Sequence, residues 1–171
     1  MNQIVGLDLF LDQLPSTFVC PPNVTLKSGS ALEIPLPQDS FDGVLMVMLI
    51  HHLVGKNVAA SIENTQRAID QAHRVLKPGG KMIIVESCVP AWFYQLEKIL
   101  FPLAVRVIDK LTGHPATLQY PAKMLQKMLD KKFSKTQVTN VPIGKWVIIL
   151  GKKVPSFLLP VQPKIFIAEK L

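Results

Sequence analysis

Asp8 ends a short apolar run, Ile4-Val5-Gly6-Leu7-Asp8. A carboxylate at the carboxyl end of a buried strand can accept two neighbouring hydroxyls at once, as acids hold ribose in nucleotide-binding folds. Spacing alone favours plainer roles, a solvated strand-end acid or a helix N-cap. His51 and His52 are adjacent, so they do not share a helix face. No other Cys or His stands at ligand spacing from them, and no metal site is expected. His51 is the better candidate for a proton-accepting base and His52 reads as a packing residue; no catalytic residue is assigned. Cys20 and Cys88 allow one disulfide at most and read as two reduced thiols.

The elements that must position these groups follow from periodicity. Ile4 to Asp8 reads as a buried strand, Val24 to Leu26 as a second, and Phe41 to Ile50 as a strand covered on both faces. Val58, Ile62, Thr65, Ile69, Ala72 and Leu76 recur in steps of four and three, which builds one helix face, with Asn57 as N-cap. Pro78 stops that helix, Pro78-Gly79 suits a type II turn, and Lys81 to Glu86 returns as a strand. Strand, helix and strand in this order make a parallel crossover, hence an α/β fold. Beyond Glu86, Ala91 to Leu111 reads as a helix that Pro102 kinks or breaks, and Ala122 to Lys132 as another. Thr136 to Val141, Trp146 to Leu150 and Lys164 to Ala168 read as strands, with a loop spaced by Pro155, Pro160 and Pro163.

Composition narrows the classes. The chain has 171 residues, 49% hydrophobic and 18% charged, which excludes intrinsic disorder. No run approaches the length of a clean membrane-spanning helix, because Glu97, Lys98 and Arg106 interrupt the longest candidate, and the start lacks the basic region of a signal peptide. A cytoplasmic globular domain is expected. Charge is uneven: residues 1–86 hold 6 Lys/Arg against 8 Asp/Glu, and residues 87–171 hold 13 against 4, so a net −2 faces a net +9. A basic, apolar second half suits an anionic partner such as lipid headgroups or a phosphorylated substrate, or is a solvated lysine face. No nucleic-acid module is recognisable and no nucleic-acid partner is expected.

Three segments, in order, resemble class I S-adenosylmethionine-dependent methyltransferases of the small-molecule type. Ile4 to Asp8 looks like the family's second strand with its terminal acid. Gly29 to Pro37 with Ser40-Phe41-Asp42 looks like the adenine loop and the approach to the fourth strand. His51-His52-Leu53 with Arg74 to Lys81 looks like the end of that strand and the turn into the fifth. The likeness covers roughly the first ninety residues. It implies a Rossmann-like sheet, mostly parallel with an antiparallel C-terminal strand and missing its first strand. It further implies one N-terminally truncated domain over 1–171, with 1–90 as cofactor half and 91–171 as helical cap and terminal strands.

The resemblance also implies a site. S-adenosyl-L-methionine is the expected cofactor, held by Asp8, Leu9, Ser30, Ala31 and Val47. Asp8 would take the ribose, and Val47 with Met48 would lie along the cofactor unless they only pack the core. Ser30 stands where the family usually has an acid, so its contact to adenine would be neutral and weaker. Asp42 and Gly79 read as structural. Trp92, Phe93, Tyr94 and Phe101 would cap an acceptor site that Tyr120 and His114 face, although for most of them covering the sheet is the plainer role. The expected reaction is methyl transfer to a small-molecule or lipid-like acceptor.

The family's first strand and glycine-rich turn would lie upstream of Ile4, where only Met1, Asn2 and Gln3 stand. The sequence therefore reads as a truncated methyltransferase, whose missing N-terminal segment or partner chain would cover apolar strand edges. Two other classes stay open. One is a non-catalytic binding or regulatory remnant. The other is a peripheral membrane-associated protein held through Ala91 to Leu111 and the basic half. A nicotinamide-dependent Rossmann enzyme would explain Asp8 but not the Leu76-Lys77-Pro78-Gly79-Gly80 turn.

Overall fold

A computed structural model of the chain describes residues 3–15, 17–112, 116–142, 144, 146–149, 152–155 and 160–171. The apolar run at the start forms β1 (Ile4–Asp8), which pairs in parallel with β2 (Val24–Ser28) from Ile4 opposite Val24 to Asp8 opposite Ser28. Gly6 gives room to the Leu26 side chain: a Cβ on it would meet Leu26 Cδ2 at 2.7 Å and make that methyl shift. These two strands form a sheet of their own.

The larger sheet starts with β3 (Phe41–Val47), followed by α1 (Val58–Val75) and β4 (Leu76–Cys88). β3 and β4 are parallel, with Val47 opposite Val85, so the crossover expected from the sequence is present. Asn57 caps α1 as its sequence position suggested, its side chain accepting from Ala60 N–H at 2.8 Å. Thr65, Ala68, Ile69, Ala72 and Val75 bury one face of the helix. α2 (Ala91–Thr112) and α3 (Ala122–Leu129) follow, then β5 (Ser134–Asn140), β6 (Trp146–Ile149), β7 (Lys152–Pro155) and β8 (Gln162–Glu169). The four-stranded sheet has the order β3-β4-β8-β5, with β8 antiparallel to both neighbours; β6 and β7 form a separate hairpin. Phe166 and Ala168 of β8, Met82 and Ile84 of β4, and Leu125 and Leu129 of α3 meet Ile69 and Ala72 of α1 in the main core.

Some boundaries differ from expectation. β3 stops at Val47, not Ile50, because Met48 has φ 51° and turns the chain off the strand. β4 begins at Leu76 rather than Lys81: Gly79 does adopt positive φ (76°), but its N–H bonds to Lys170 O at 2.8 Å and Lys170 N–H returns to Gly80 O at 2.9 Å. Lys170 also closes this corner with its side chain, which donates to Leu76 O, His73 O and Asp39 Oδ1 at 2.7, 2.9 and 2.6 Å. α2 runs through Pro102 without a break. β7 falls where prolines suggested only loop. Among the described residues no helix is long and apolar enough to cross a membrane, and Cys20 and Cys88 are free thiols.

Candidate functional site

The carboxyl ends of β1, β3 and β4 carry the residues with chemical potential. Asp8 is exposed at the end of β1, and its Oδ1 accepts the Phe10 N–H at 2.8 Å. Its backbone carbonyl accepts Gly29 N–H at 3.0 Å, which fixes the loop after β2 beside it. In that loop Ser30 Oγ accepts Leu32 N–H at 3.1 Å, a local turn contact that leaves its second lone pair and its proton for another partner.

The stretch from Ser30 to Pro37 makes only short-range backbone bonds of its own, Glu33 N–H to Ser30 O at 3.1 Å and Leu36 N–H to Ile34 O at 2.8 Å. Helix α1 adds the longer-range ties. Arg74 donates from its guanidinium to Ile34 O at 2.6 Å and Leu36 O at 2.9 Å, Arg67 donates to Leu32 O at 2.7 Å, and Gln71 Oε1 accepts Ile34 N–H at 3.2 Å. The loop is thus held on the polar flank of the helix whose other face packs the core.

A cavity of about 450 Å³ opens between the facing edges of β1 and β3. Gly6, Leu7, Ala31, Ile34, Met46 and Leu49 are among its walls. A second, of about 510 Å³, shares Gly6 and Leu7 with it and adds Asp8, Phe10, Leu14 and Phe18. Of the five residues expected at a cofactor, Ala31 lies in the first cavity and Asp8 in the second, at the shared strand end. Ser30, Leu9 and Val47 line neither; Leu9 and Val47 are exposed. An acid with free acceptor capacity beside an apolar slot suits a nucleoside, so the residues present are compatible with S-adenosylmethionine.

The end of β3 is built differently. Met48 N–H bonds Val85 O at 2.8 Å, and after the left-handed Met48 the chain makes a single tight turn, Ile50–His52, over β4. Glu86, 1% exposed, lies beneath that turn. Its Oε2 accepts Ile50 N–H at 2.7 Å, and its Oε1 accepts Ser87 N–H at 2.7 Å and lies 2.6 Å from His51 Nδ1. His51 O in turn accepts Leu118 N–H at 3.0 Å, and Val89 N–H reaches Tyr120 O at 3.2 Å, so the segment around Leu118 to Tyr120 straps both strand ends. His52 is exposed rather than packed, with its ring centroid 4.1 Å from that of His51. Glu86 was not singled out from sequence; the only signal was a lone acid at the end of the apolar run Met82 to Val85.

The aromatic residues expected over an acceptor site divide. Tyr94, Phe101 and Tyr120 are core residues, and Tyr120 holds a hydrogen bond with Thr65 Oγ1 at 3.2 Å; burial pushes its hydroxyl up to about 12. Tyr120 therefore does not face an acceptor. Trp92 is exposed and Phe93 half-buried. His114 lies outside the described residues. Asp42 pairs with Lys77 at 2.8 Å on the surface. Among the described residues no cluster of His, Cys, Asp or Glu could hold a metal.

Residues 1–84 match the methyltransferase domain family. This segment is thus similar to methyltransferase domains. A demethylmenaquinone methyltransferase of Symbiobacterium thermophilum is 37% identical over 113 residues, 63% of this chain and 41% of that protein. An uncharacterised methyltransferase-like protein of Schizosaccharomyces pombe is 33% identical over 106 residues, 58% of this chain and 36% of that one. The chain thus spans about two fifths of the length of these curated relatives. Among solved structures, a putative methyltransferase from Bacillus halodurans superposes with a TM-score of 0.64 at 15% identity, covering 99% of this chain and 83% of that one. An N-methyltransferase of Bradyrhizobium japonicum in complex with S-adenosylhomocysteine gives 0.56 at 11% identity, covering 98% and 66%. The mixed α/β fold of the chain, with its antiparallel β8, is that of these structures.

Proposed function

We propose that this chain serves S-adenosylmethionine-dependent methyl transfer to a small or lipid-like acceptor, of the demethylmenaquinone class named for several relatives. The observation that carries this reading is that residues matched to the methyltransferase domain, Gly6, Leu7, Ala31, Met46 and Leu49, wall one cavity between the facing edges of β1 and β3. When bound, the cofactor supplies an electrophilic sulfonium methyl. The chain's part is to bind and orient. Asp8 accepts the ribose hydroxyls, Ala31 and Leu49 flank the purine, Ser30 Oγ accepts from its amino group, and Leu9 and Val47 border the donor. Exclusion of water and alignment of the two reactants then supply most of the rate.

Calorimetry with S-adenosylmethionine and with S-adenosylhomocysteine tests this. Micromolar binding is expected. Asp8→Asn weakens it about tenfold or more, since a hydrogen bond to a charged acceptor is worth about 1.5–3 kcal/mol. No binding by the full chain overturns the reading and favours a non-catalytic role for the fold.

A further partner is supported by α2. Trp92, Leu96, Ile99 and Leu103 are 64%, 45%, 75% and 62% exposed and, at steps of four, three and four, share one helix face. Together with the basic half of the chain, this apolar stripe suits an anionic membrane surface, where a lipid-like acceptor resides. Sedimentation with phosphatidylserine vesicles is the test: binding that Ile99→Glu abolishes is expected, and equal recovery with and without vesicles overturns it. A cytoplasmic location goes with this proposal.

A further inference from the structure

Glu86 is buried to 1% exposure, accepts N–H groups from Ile50 and Ser87, and lies 2.6 Å from His51 Nδ1. A carboxylate that already takes two backbone N–H groups is the natural acceptor for the ring as well, which puts the ring proton on Nδ1 and leaves Nε2 as the nitrogen with a lone pair. The His51 side chain keeps 11% of its surface open, and Leu118 N–H pins the same residue's carbonyl. Leu49, which walls the 450 Å³ cavity, stands two residues earlier, immediately before the same turn. A histidine held by a buried acid, two residues beyond a wall of a candidate ligand cavity, is arranged to take a proton.

We propose that His51 is the proton acceptor of the methyl transfer and Glu86 its positioning residue. This rests on the methyl-transfer reading above, with the acceptor proposed there carrying a hydroxyl in its reduced form, and adds a residue role to it. In the step, the acceptor O–H bond breaks and its proton forms an N–H bond at Nε2. The electron pair left behind, on oxygen or delocalised to the adjacent ring carbon, forms the new bond to the methyl carbon. The methyl leaves sulfur, whose bonding pair stays behind as the S-adenosylhomocysteine thioether. If carbon is methylated, its ring hydrogen departs as a proton to water and aromaticity is restored. His51 later returns its proton to water.

The test uses the full chain, S-adenosylmethionine and reduced short-chain demethylmenaquinone, with S-adenosylhomocysteine as the product measured. His51→Ala is expected to lower kcat about 100-fold while leaving cofactor affinity unchanged, and added imidazole to restore at least part of the lost rate. Nitrogen-15 spectra of the imidazole are expected to show a protonated Nδ1 that Glu86→Gln loses, with a fall in kcat rather than a rise in KM. Should Glu86→Gln unfold, His51→Ala and its rescue decide. Wild-type turnover by His51→Ala, or a neutral ring protonated at Nε2, overturns the pair even where cofactor binds. Absence of cofactor binding by the unaltered chain overturns the methyl-transfer reading and the role of the pair with it. The spectra, which need no ligand, distinguish that failure from a failure of the pair's geometry.

Discussion

Asp8 and Glu86 each stand near the carboxyl end of a parallel strand after an apolar run, and the fold treats them oppositely. Glu86 is sealed beneath a turn with three donors, whereas Asp8 is exposed with one local bond, from Phe10 two residues away. Burying an ionised group is tolerated only where the protein supplies its partners. Glu86 is therefore committed to the structure and to His51, while Asp8 keeps acceptor capacity that a ligand can use. The surroundings repeat the contrast: β4 lies between β3 and β8, whereas β1 has only β2 as a partner and leaves Ile4, Leu9 and Phe10 exposed.

Alanine at both acids is the sharpest way to break this comparison. Glu86→Ala leaves the Ile50, Ser87 and His51 donors unpaired; at about 1–3 kcal/mol for each buried group, a loss of roughly 3 kcal/mol or more is expected in urea unfolding. Asp8→Ala is expected to change stability by no more than about 0.5 kcal/mol, while cofactor binding falls. Equal destabilisation by the two would erase the distinction. Next in size, Arg74→Ala frees the carbonyls of Ile34 and Leu36, for about 1–2 kcal/mol of stability. It should weaken cofactor binding through Ala31 although Arg74 lines neither cavity.

A pH effect sharpens the cost of burying an acid without enough partners. Glu97 on α2 has a buried Oε2 with no hydrogen bond, and burial pushes its carboxyl from 4.5 up to about 7. A carboxyl with a raised folded value holds its proton more tightly folded than unfolded. Stability is then greatest at low pH with respect to this group, falls between pH 4.5 and about 7, and levels off above. Glu97→Gln should remove that fall and raise the melting temperature at pH 8, as thermal melts across the window would reveal. The smallest effect is expected at the exposed Asp42–Lys77 pair, where Asp42→Asn should cost less than about 1 kcal/mol.

What could be read from the sequence was local. α1 with its Asn57 cap, the paired runs of β1 and β2, and the positive φ of Gly79 all follow from short-range chemistry. The strap at Lys170, the loop held by Arg74 and the His51–Glu86 contact join residues 94, 40 and 35 positions apart. They exist only once the crossover sets the register of β3 against β4. β3 was read too long because an apolar run does not announce a left-handed residue such as Met48. β7 was missed because Lys152-Lys153-Val154-Pro155 lacks the apolar alternation of a half-buried strand. Tyr120 looked like a site residue because an aromatic hydroxyl has the same sequence signature whether it meets a substrate or Thr65.

The strand order β3-β4-β8-β5 has a consequence for how this sheet is made. β5 joins the sheet only through β8, so during synthesis it must wait until Glu169 has left the ribosome before it finds its neighbour. Until then one edge of β4 stays bare, and nascent chains stalled short of β8 would be the species most prone to capture by chaperones.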